Sequence, residues 1–412
     1  MMLRGRIHET VEKNRRAYIG FLMELIDTET TDEKEDQGQA VLRRRLERLP
    51  CRLDYFSPDP ARLCRYEDFN VGHSYASRGN LVAVFSGEQD ENGLLLNGHM
   101  DTVFPNDPDA WKSDPLRCEI RDGKLYGLGA CDMKAGLCAM TLAMEVLCGL
   151  GVRFQKKIIL ESVCDEEAGG GNGTLAAIDR GYTAPAALVG EPTSLRPMRA
   201  HVGSVAFRIT FKGRAAHSNI KWEGVNAFEE ALPFIHGFYE MERRWLQKQK
   251  NPLFHHPACS INVIRCGTGA VCIPDACVLE GNFTYLPGYD GCIEEFTAVL
   301  TDASQSPWLR EHPPVLEWLH HVRPYESGGE QPFLKSLLRT LTELGGADAY
   351  EGFATGADAR LLANIGGMNT VILGPGDIRN GHRANEYVIV DEFIRAVELY
   401  ANIIADFLAI PE

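Results

Sequence analysis

His99 and Asp101, with Met100 between them, stand in LLLNGHMDTV, just past a run of three leucines. Three further apolar runs end in the same way. KKIILESVC is followed by Asp165, Glu166 and Glu167, AALVG by Glu191, and NTVILG, which closes at Gly374, by His382 eight residues later. Asp132 directly precedes MKAGLCAM, where a carboxylate can cap the free backbone N–H groups of a starting helix and still project into a cleft. Imidazole and carboxylate groups suit zinc and neighbouring divalent ions, and two ions about 3.5–4 Å apart can share one water and lower its pKa toward about 7. Such a centre makes two further demands. One carboxylate has to bridge the ions, and another has to stay off the metal, taking a proton from the water and later giving it to an amine leaving group. Glu166 and Glu167 can divide such roles, because adjacent residues leave a strand in different directions. Taken singly, each piece has a plainer reading as a surface His-x-Asp pair, an N-cap, a solvated DEE loop or a turn at Glu191-Pro192. Their joint placement past strand ends and at a helix start favours a metal-dependent hydrolytic centre.

The elements that must hold these groups alternate between residues 80 and 193. NLVAVF, GLLLNG, KKIILESV and AALVGE read as strands, and MKAGLCAMTLAMEVL and NGTLAAIDRG read as helices with glycine after their ends. That rhythm predicts an α/β fold with a mostly parallel sheet, and in such sheets ligands bind beyond the carboxyl ends of the strands, so the candidate ligands share one crevice. SVAFRITFKG, ACSINVIRCG and CVLEGNFTYLPG then read as strands around helices near residues 225–248 and 290–302, which predicts a smaller α+β unit. After the turn-rich VRPYESGGEQP the first rhythm resumes, with helices over 331–344 and 357–365, the strand NTVILG and a closing helix. The expected organisation is a catalytic domain of residues 1–196 and 323–412, interrupted by an inserted lid of residues 197–322.

A chain of 412 residues is longer than one core usually sustains, in keeping with two domains. Its formal net charge of -15 disfavours a nucleic-acid partner, which needs clustered Lys and Arg, and suits cation binding. The patch RRRLER at residues 43–48 has helical spacing among apolar residues and reads as a solvated helix face. MMLRGRIHETVEKNRRAYIGFLMELI lacks the unbroken apolar core of a signal peptide and no later stretch would span a bilayer, so a cytoplasmic protein without a membrane partner is expected. The 12 cysteines are scattered singly, without a CxxC pair, and read mostly as small buried hydrophobes. No GxGxxG follows a strand, and neither GxxxxGK[ST] nor GxSxG occurs, which leaves nucleotide-dependent and serine-hydrolase chemistry without support. GGGNG reads as a flexible turn beside the ligands.

GHMDTV, GLGACDMKAG, DEE, GEPTS, GRAAHS, TGADAR and GHRANE occur in this order along nearly the whole chain. In this the sequence resembles the di-zinc amidohydrolase family that contains acetylornithine deacetylase, succinyl-diaminopimelate desuccinylase, aminoacylase and glutamate carboxypeptidase. The resemblance implies two divalent ions, zinc first with cobalt or manganese as alternatives. It assigns one ion to His99, Asp132 and Glu191 and the other to Asp132, Glu167 and His382, with Asp132 as the bridge. Glu166 is then the acid–base group, and Asp101 orients His99 from behind, fixing its tautomer. His217 of GRAAHS, which alone would read as a surface or satisfied histidine, is implied to reach the active site of a neighbouring subunit and polarise the scissile carbonyl, with the lid forming a homodimer interface.

Two positions depart from the pattern. Leu128 stands in GLG where the family often has arginine, and Thr284 stands in GNFTYLPG where an arginine helps some relatives hold a substrate carboxylate. Arg360 in TGADAR is a candidate carboxylate partner, or else a surface residue pairing with Asp358. The expected activity is hydrolysis of an N-acyl amide on an amino acid, short peptide or related small molecule, with acetylornithine deacetylase-like activity first. Succinyl-diaminopimelate desuccinylase, dipeptidase or carboxypeptidase, and deformylase activity on a heterocyclic amine use the same machinery. A metal-binding or scaffold protein without catalysis is the reading from a different class, and it would be expected to have lost a ligand or the free glutamate.

Overall fold

The computed structural model describes residues 3–410 apart from residues 32, 106, 168 and 170, so Gly170 of the GGGNG turn lies outside the described residues. The chain divides into two compact units, Met1–Ala200 with Glu326–Phe353 and Ala357–Glu412, and His201–Tyr325 with Ala354–Gly356. The return of residues 354–356 to the second unit is announced by no periodicity in that stretch.

The first unit is built on a nine-stranded sheet. Five of its strands are β1 (Asn80–Phe85), β2 (Asn92–His99), β3 (Lys157–Val163), β4 (Ala186–Val189) and β5 (Asn369–Ile372). They lie in the order β1, β3, β2, β4, β5, with Cys51–Phe56 outside β1 and Met198–His201 outside β5. β3, β2, β4 and β5 run parallel, whereas β1 pairs antiparallel with β3 and with Cys51–Phe56, and Met198–His201 pairs antiparallel with β5. The sheet is therefore of the α/β type expected, with a parallel centre and antiparallel flanks. The parallel strands are apolar along their length because helices cover both faces, and Leu94, Leu95, Leu96, Ile158, Leu160, Leu188 and Val371 are buried.

Helix α1 (Lys134–Gly149) is apolar almost all round, and it packs against β2 on one side and the closing helix Val390–Leu408 on the other. Its approach to the sheet is close enough to require Gly136, where an added Cβ would lie 1.9 Å from the Gly190 carbonyl oxygen. The N-terminal stretch forms an amphipathic helix, Leu3–Ile26, that buries Ile7, Val11, Phe21, Leu22 and Leu25. RRRLER falls on the helix Glu35–Leu46 and its end, where Arg45 pairs with Glu145 and Arg44 with Glu24. No helix among the described residues is long and apolar enough to cross a membrane.

The second unit has a four-stranded antiparallel sheet in the order Cys259–Cys266, Ala276–Tyr285, Gly203–Lys212, Val315–Val322. Helices Ala227–Lys248 and Cys292–Ala303 pack on it through Phe234, Phe238, Trp245 and Phe296, which meet Phe207 and Phe283 of the sheet. The fourth strand, VLEWLHHV, is largely exposed and so carries no buried-face alternation that sequence periodicity could reveal.

Candidate metal centre

The carboxyl ends of the parallel strands deliver the candidate ligands. β2 ends on His99, β3 is followed by Asp165–Glu167, β4 by Glu191, and the segment after β5 turns back to carry His382. The ring of His99 donates Nδ1–H to the main-chain carbonyl of Asp101 at 2.9 Å, which turns Nε2 toward Asp132 Oδ1 at 3.2 Å and Glu191 Oε1 at 3.6 Å. The tautomer is thus set by the backbone of Asp101. Its carboxylate lies farther from the ring, with Oδ1 3.7 Å from Nδ1, and Oδ2 accepts instead from Glu167 N at 2.9 Å. His382 Nε2 meets Glu167 Oε2 at 2.7 Å and Asp132 Oδ2 at 3.5 Å.

Asp132 does not cap α1. The N-cap is Met133, without a side-chain cap bond, and the Asp132 carboxylate turns into the cleft with one oxygen toward each histidine. The Asp132–Met133 peptide bond is cis. The segment carrying His382 passes so near that an added Cβ on Gly381 would lie 2.9 Å from Asp132 Oδ2.

Ligand atoms of His99, Asp132 and Glu167 lie within 4.8 Å of one another, and so do those of His99, Glu166 and Glu191. Glu166 therefore belongs to the same cluster as the expected ligands. Crowding so many carboxyl groups into a buried space is unfavourable unless cations or protons balance them. Burial pushes Glu166 and Glu191 well above the usual carboxyl range, and Glu167 up to about 7 with Asp132 adding to it. Burial opposes protonation of His99, but Asp132, Glu191 and Asp101 outweigh it and raise the imidazole. His382 is raised to about 9, chiefly by its hydrogen bond to Glu167. The donor set fits paired divalent ions, since Asp132 offers one oxygen to each side and each side has its own histidine and glutamate.

A metal needs neutral imidazole, and below about pH 9 the metal-free His382 holds a proton. Metal affinity is therefore expected to rise with pH toward about 9, with proton release on binding. Calorimetry in buffers of different ionisation heat measures both, and a pH-independent affinity between pH 7 and 9 would contradict the assignment.

Glu386, the last residue of GHRANE, is a buried acid that sequence reasoning passed over. Its Oε1 accepts from Cys131 N at 2.7 Å and Asp132 N at 3.0 Å, and its Oε2 from Gly129 N at 3.1 Å. One side chain thereby fastens the loop of Asp132 to the segment of His382. The sequence signal was a glutamate four residues after a candidate ligand histidine, His382. Glu386→Gln should weaken metal binding by about 10–100-fold while the protein stays folded, as read by chelator competition and circular dichroism.

A cavity of about 550 Å³ opens beside the cluster, lined by His73, Ser74, Thr102 and Phe104 together with Asp101 and Glu167. Arg360 is not among its lining residues. It is buried, donating to the Ala357 carbonyl at 3.5 Å and lying 3.8 Å from Asp358 Oδ1, so it is not a surface residue. Leu128 is likewise buried. In the second unit, Thr284 pairs with Ala258, its N–H donating to the carbonyl at 2.8 Å and its hydroxyl accepting from the amide at 2.9 Å. His217 is exposed at the start of a 3-10 turn, and its Nδ1 accepts from Asn219 N at 3.2 Å.

A family model described as peptidase family M20/M25/M40 matches residues 95–406. An N-formyl-4-amino-5-aminomethyl-2-methylpyrimidine deformylase of Halalkalibacterium halodurans is 28% identical, covering 93% of this chain and 93% of its own length. An acetylornithine deacetylase of Edwardsiella ictaluri is 30% identical over 80% of this chain and 83% of its own. Among solved structures, aminopeptidase PepT from Bacillus cereus has the same fold, with a TM-score of 0.75 at 20% identity over 96% of this chain and 99% of that one.

Proposed function

The chain belongs to peptidase family M20/M25/M40, a family of metal-dependent hydrolases, and on that premise we propose that it cleaves an N-acyl amide on a small amine to release a carboxylic acid. The observation that carries this reading is Asp132, which presents one carboxylate oxygen to His99 and the other to His382. His99, Asp132 and Glu191 hold one ion and Asp132, Glu167 and His382 the other, with zinc the first choice of metal and cobalt or manganese the alternatives. Bound there, paired divalent ions supply Lewis acidity that lowers the pKa of water. Glu166, within reach of His99 and Glu191, takes the proton from the attacking water and delivers it to the departing nitrogen. The backbone carbonyl of Asp101 keeps Nε2 of His99 free for the metal. The cavity beside Glu167 takes the substrate.

His217 acts on a partner subunit's substrate in a homodimer formed through the second unit. In support, its Nδ1 is occupied as an acceptor and the ring is exposed, so a neutral imidazole carries its proton on an Nε2 free to donate to an oxyanion.

Acetylornithine deacetylase-like activity is one reading of the acyl group, and two observations favour an N-formyl amide of a heterocyclic amine over it. The similarity to the deformylase extends over 93% of the chain against 80% for the deacetylase. Thr284 is engaged with the backbone of Ala258 and offers no guanidinium to a substrate carboxylate, which a heterocyclic amine does not need. Assays of N-formyl, N-acetyl and N-succinyl amines and dipeptides with zinc, cobalt and manganese test this. The highest kcat/KM is expected on an N-formyl amide without a carboxylate; no turnover of any member would overturn the hydrolase reading.

A further inference from the structure

We propose that Asp165 is the positioning residue for the acid–base glutamate, held in place by a strap of residues 70–78; this rests on the role given to Glu166 above. Asp165 lies between the end of β3 and Glu166 and adopts φ +66°, the left-handed region that a non-glycine residue enters at a cost. Such a conformation persists only where surroundings impose it, and here they do so on both sides of the residue. Its buried carboxylate receives three donors from one short stretch of chain: His73 Nδ1 at 2.6 Å and Arg78 Nη2 at 2.9 Å on Oδ1, and the Tyr75 hydroxyl at 2.6 Å on Oδ2. Its main-chain carbonyl accepts from Gly171 N at 2.7 Å.

The donors are themselves held. Arg78 gives Nε to Glu35 Oε1 at 2.6 Å, and the Tyr75 hydroxyl accepts from Asn172 Nδ2 at 2.6 Å. Asn172 also accepts from Asn70 N at 3.0 Å and donates to the Asn70 carbonyl at 2.8 Å, so the strap is pinned at both ends. A buried ion pair serving stability alone could sit anywhere in the core. This one is centred on the residue whose backbone turn sends Glu166 toward His99 and Glu191 while Glu167 goes to His382. Loosening Asp165 lets the two glutamates drift relative to the ions, and a displacement on the order of 1 Å at such a site costs about 10²-fold in rate.

The test uses the metal-loaded full chain and the variants Asp165→Asn, Tyr75→Phe, Arg78→Met and Arg78→Lys. Asp165→Asn should keep both ions and leave KM within about threefold while kcat falls about 10²-fold. Tyr75→Phe, which removes one donor and keeps the ring, should fall in the same direction by less, and Arg78→Lys should recover most of what Arg78→Met loses. The visible absorption of the cobalt-loaded protein gives a readout independent of turnover. Asp165→Asn should alter the band pattern at unchanged cobalt content, because Glu167 shifts with its neighbour. A folded Asp165→Asn protein with wild-type kcat or with the wild-type cobalt spectrum would overturn the proposal. If the unsubstituted protein hydrolyses nothing in the panel, the functional reading fails by itself and the cobalt spectrum still decides the positioning role.

Discussion

Glu166→Gln is expected to leave the metal content unchanged and to lower kcat by about 10³–10⁴-fold, near the upper end of what a positioned acid–base group contributes. The amide matches the carboxylate in shape and can still accept a hydrogen bond, but it cannot take a proton from water or return one to nitrogen. None of the ligand contacts passes through it: His99 faces Asp132 and Glu191, and His382 faces Glu167 and Asp132. Metal content is expected to hold because Glu166 is not one of the proposed ligands, while turnover is lost. Elemental analysis with steady-state kinetics on the same sample reads both. Near-normal turnover in the variant would remove Glu166 from its role.

Asp132→Asn should fail in the opposite way, losing metal first and activity with it. Asparagine keeps the volume and offers a single oxygen, so it can face His99 or His382 but cannot serve both. Its amide N–H₂ would point at whichever ion it does not ligate. The expected result is about one ion per chain instead of two. Lewis acidity worth several kcal/mol goes with the lost ion, a fall of about 10³-fold or more in kcat/KM. The Glu386 clasp binds the backbone N–H of residue 132, which the substitution leaves intact, so the fold should survive. A variant that retains two tightly held ions and wild-type kcat/KM would be incompatible with Asp132 as the bridge.

What could be read in the sequence was the set of side chains that follow buried strands, because a buried parallel strand is nearly continuously apolar and its end is marked by the first polar residues. His99, Glu166, Glu167 and Glu191 stood out for that reason, and they do converge. Asp132 was recognised as a site residue but given a second task, helix capping, that falls to no side chain, since the cap lies at Met133. The residue type at 132 suits a cap, but the local dihedrals start the helix one residue later, with the cap at Met133. Glu386 and the Asp165 network were hidden for a different reason. Their partners are backbone amides and residues far away in sequence, such as Glu35, His73 and Arg78, and no local spacing brings those together. The flanking strands Cys51–Phe56 and Val315–Val322 escaped because each is half-exposed or more and shows no clean alternation.

The spread of the ligands along the polymer has a consequence during synthesis. A ribosome emits His99, Asp132, Glu166, Glu167 and Glu191 in the first half of the chain, while β5 and His382 emerge near the end. A nascent polypeptide therefore carries every side chain proposed for one ion long before it owns the histidine proposed for the other, and the Glu386 clasp on the Asp132 loop follows later still.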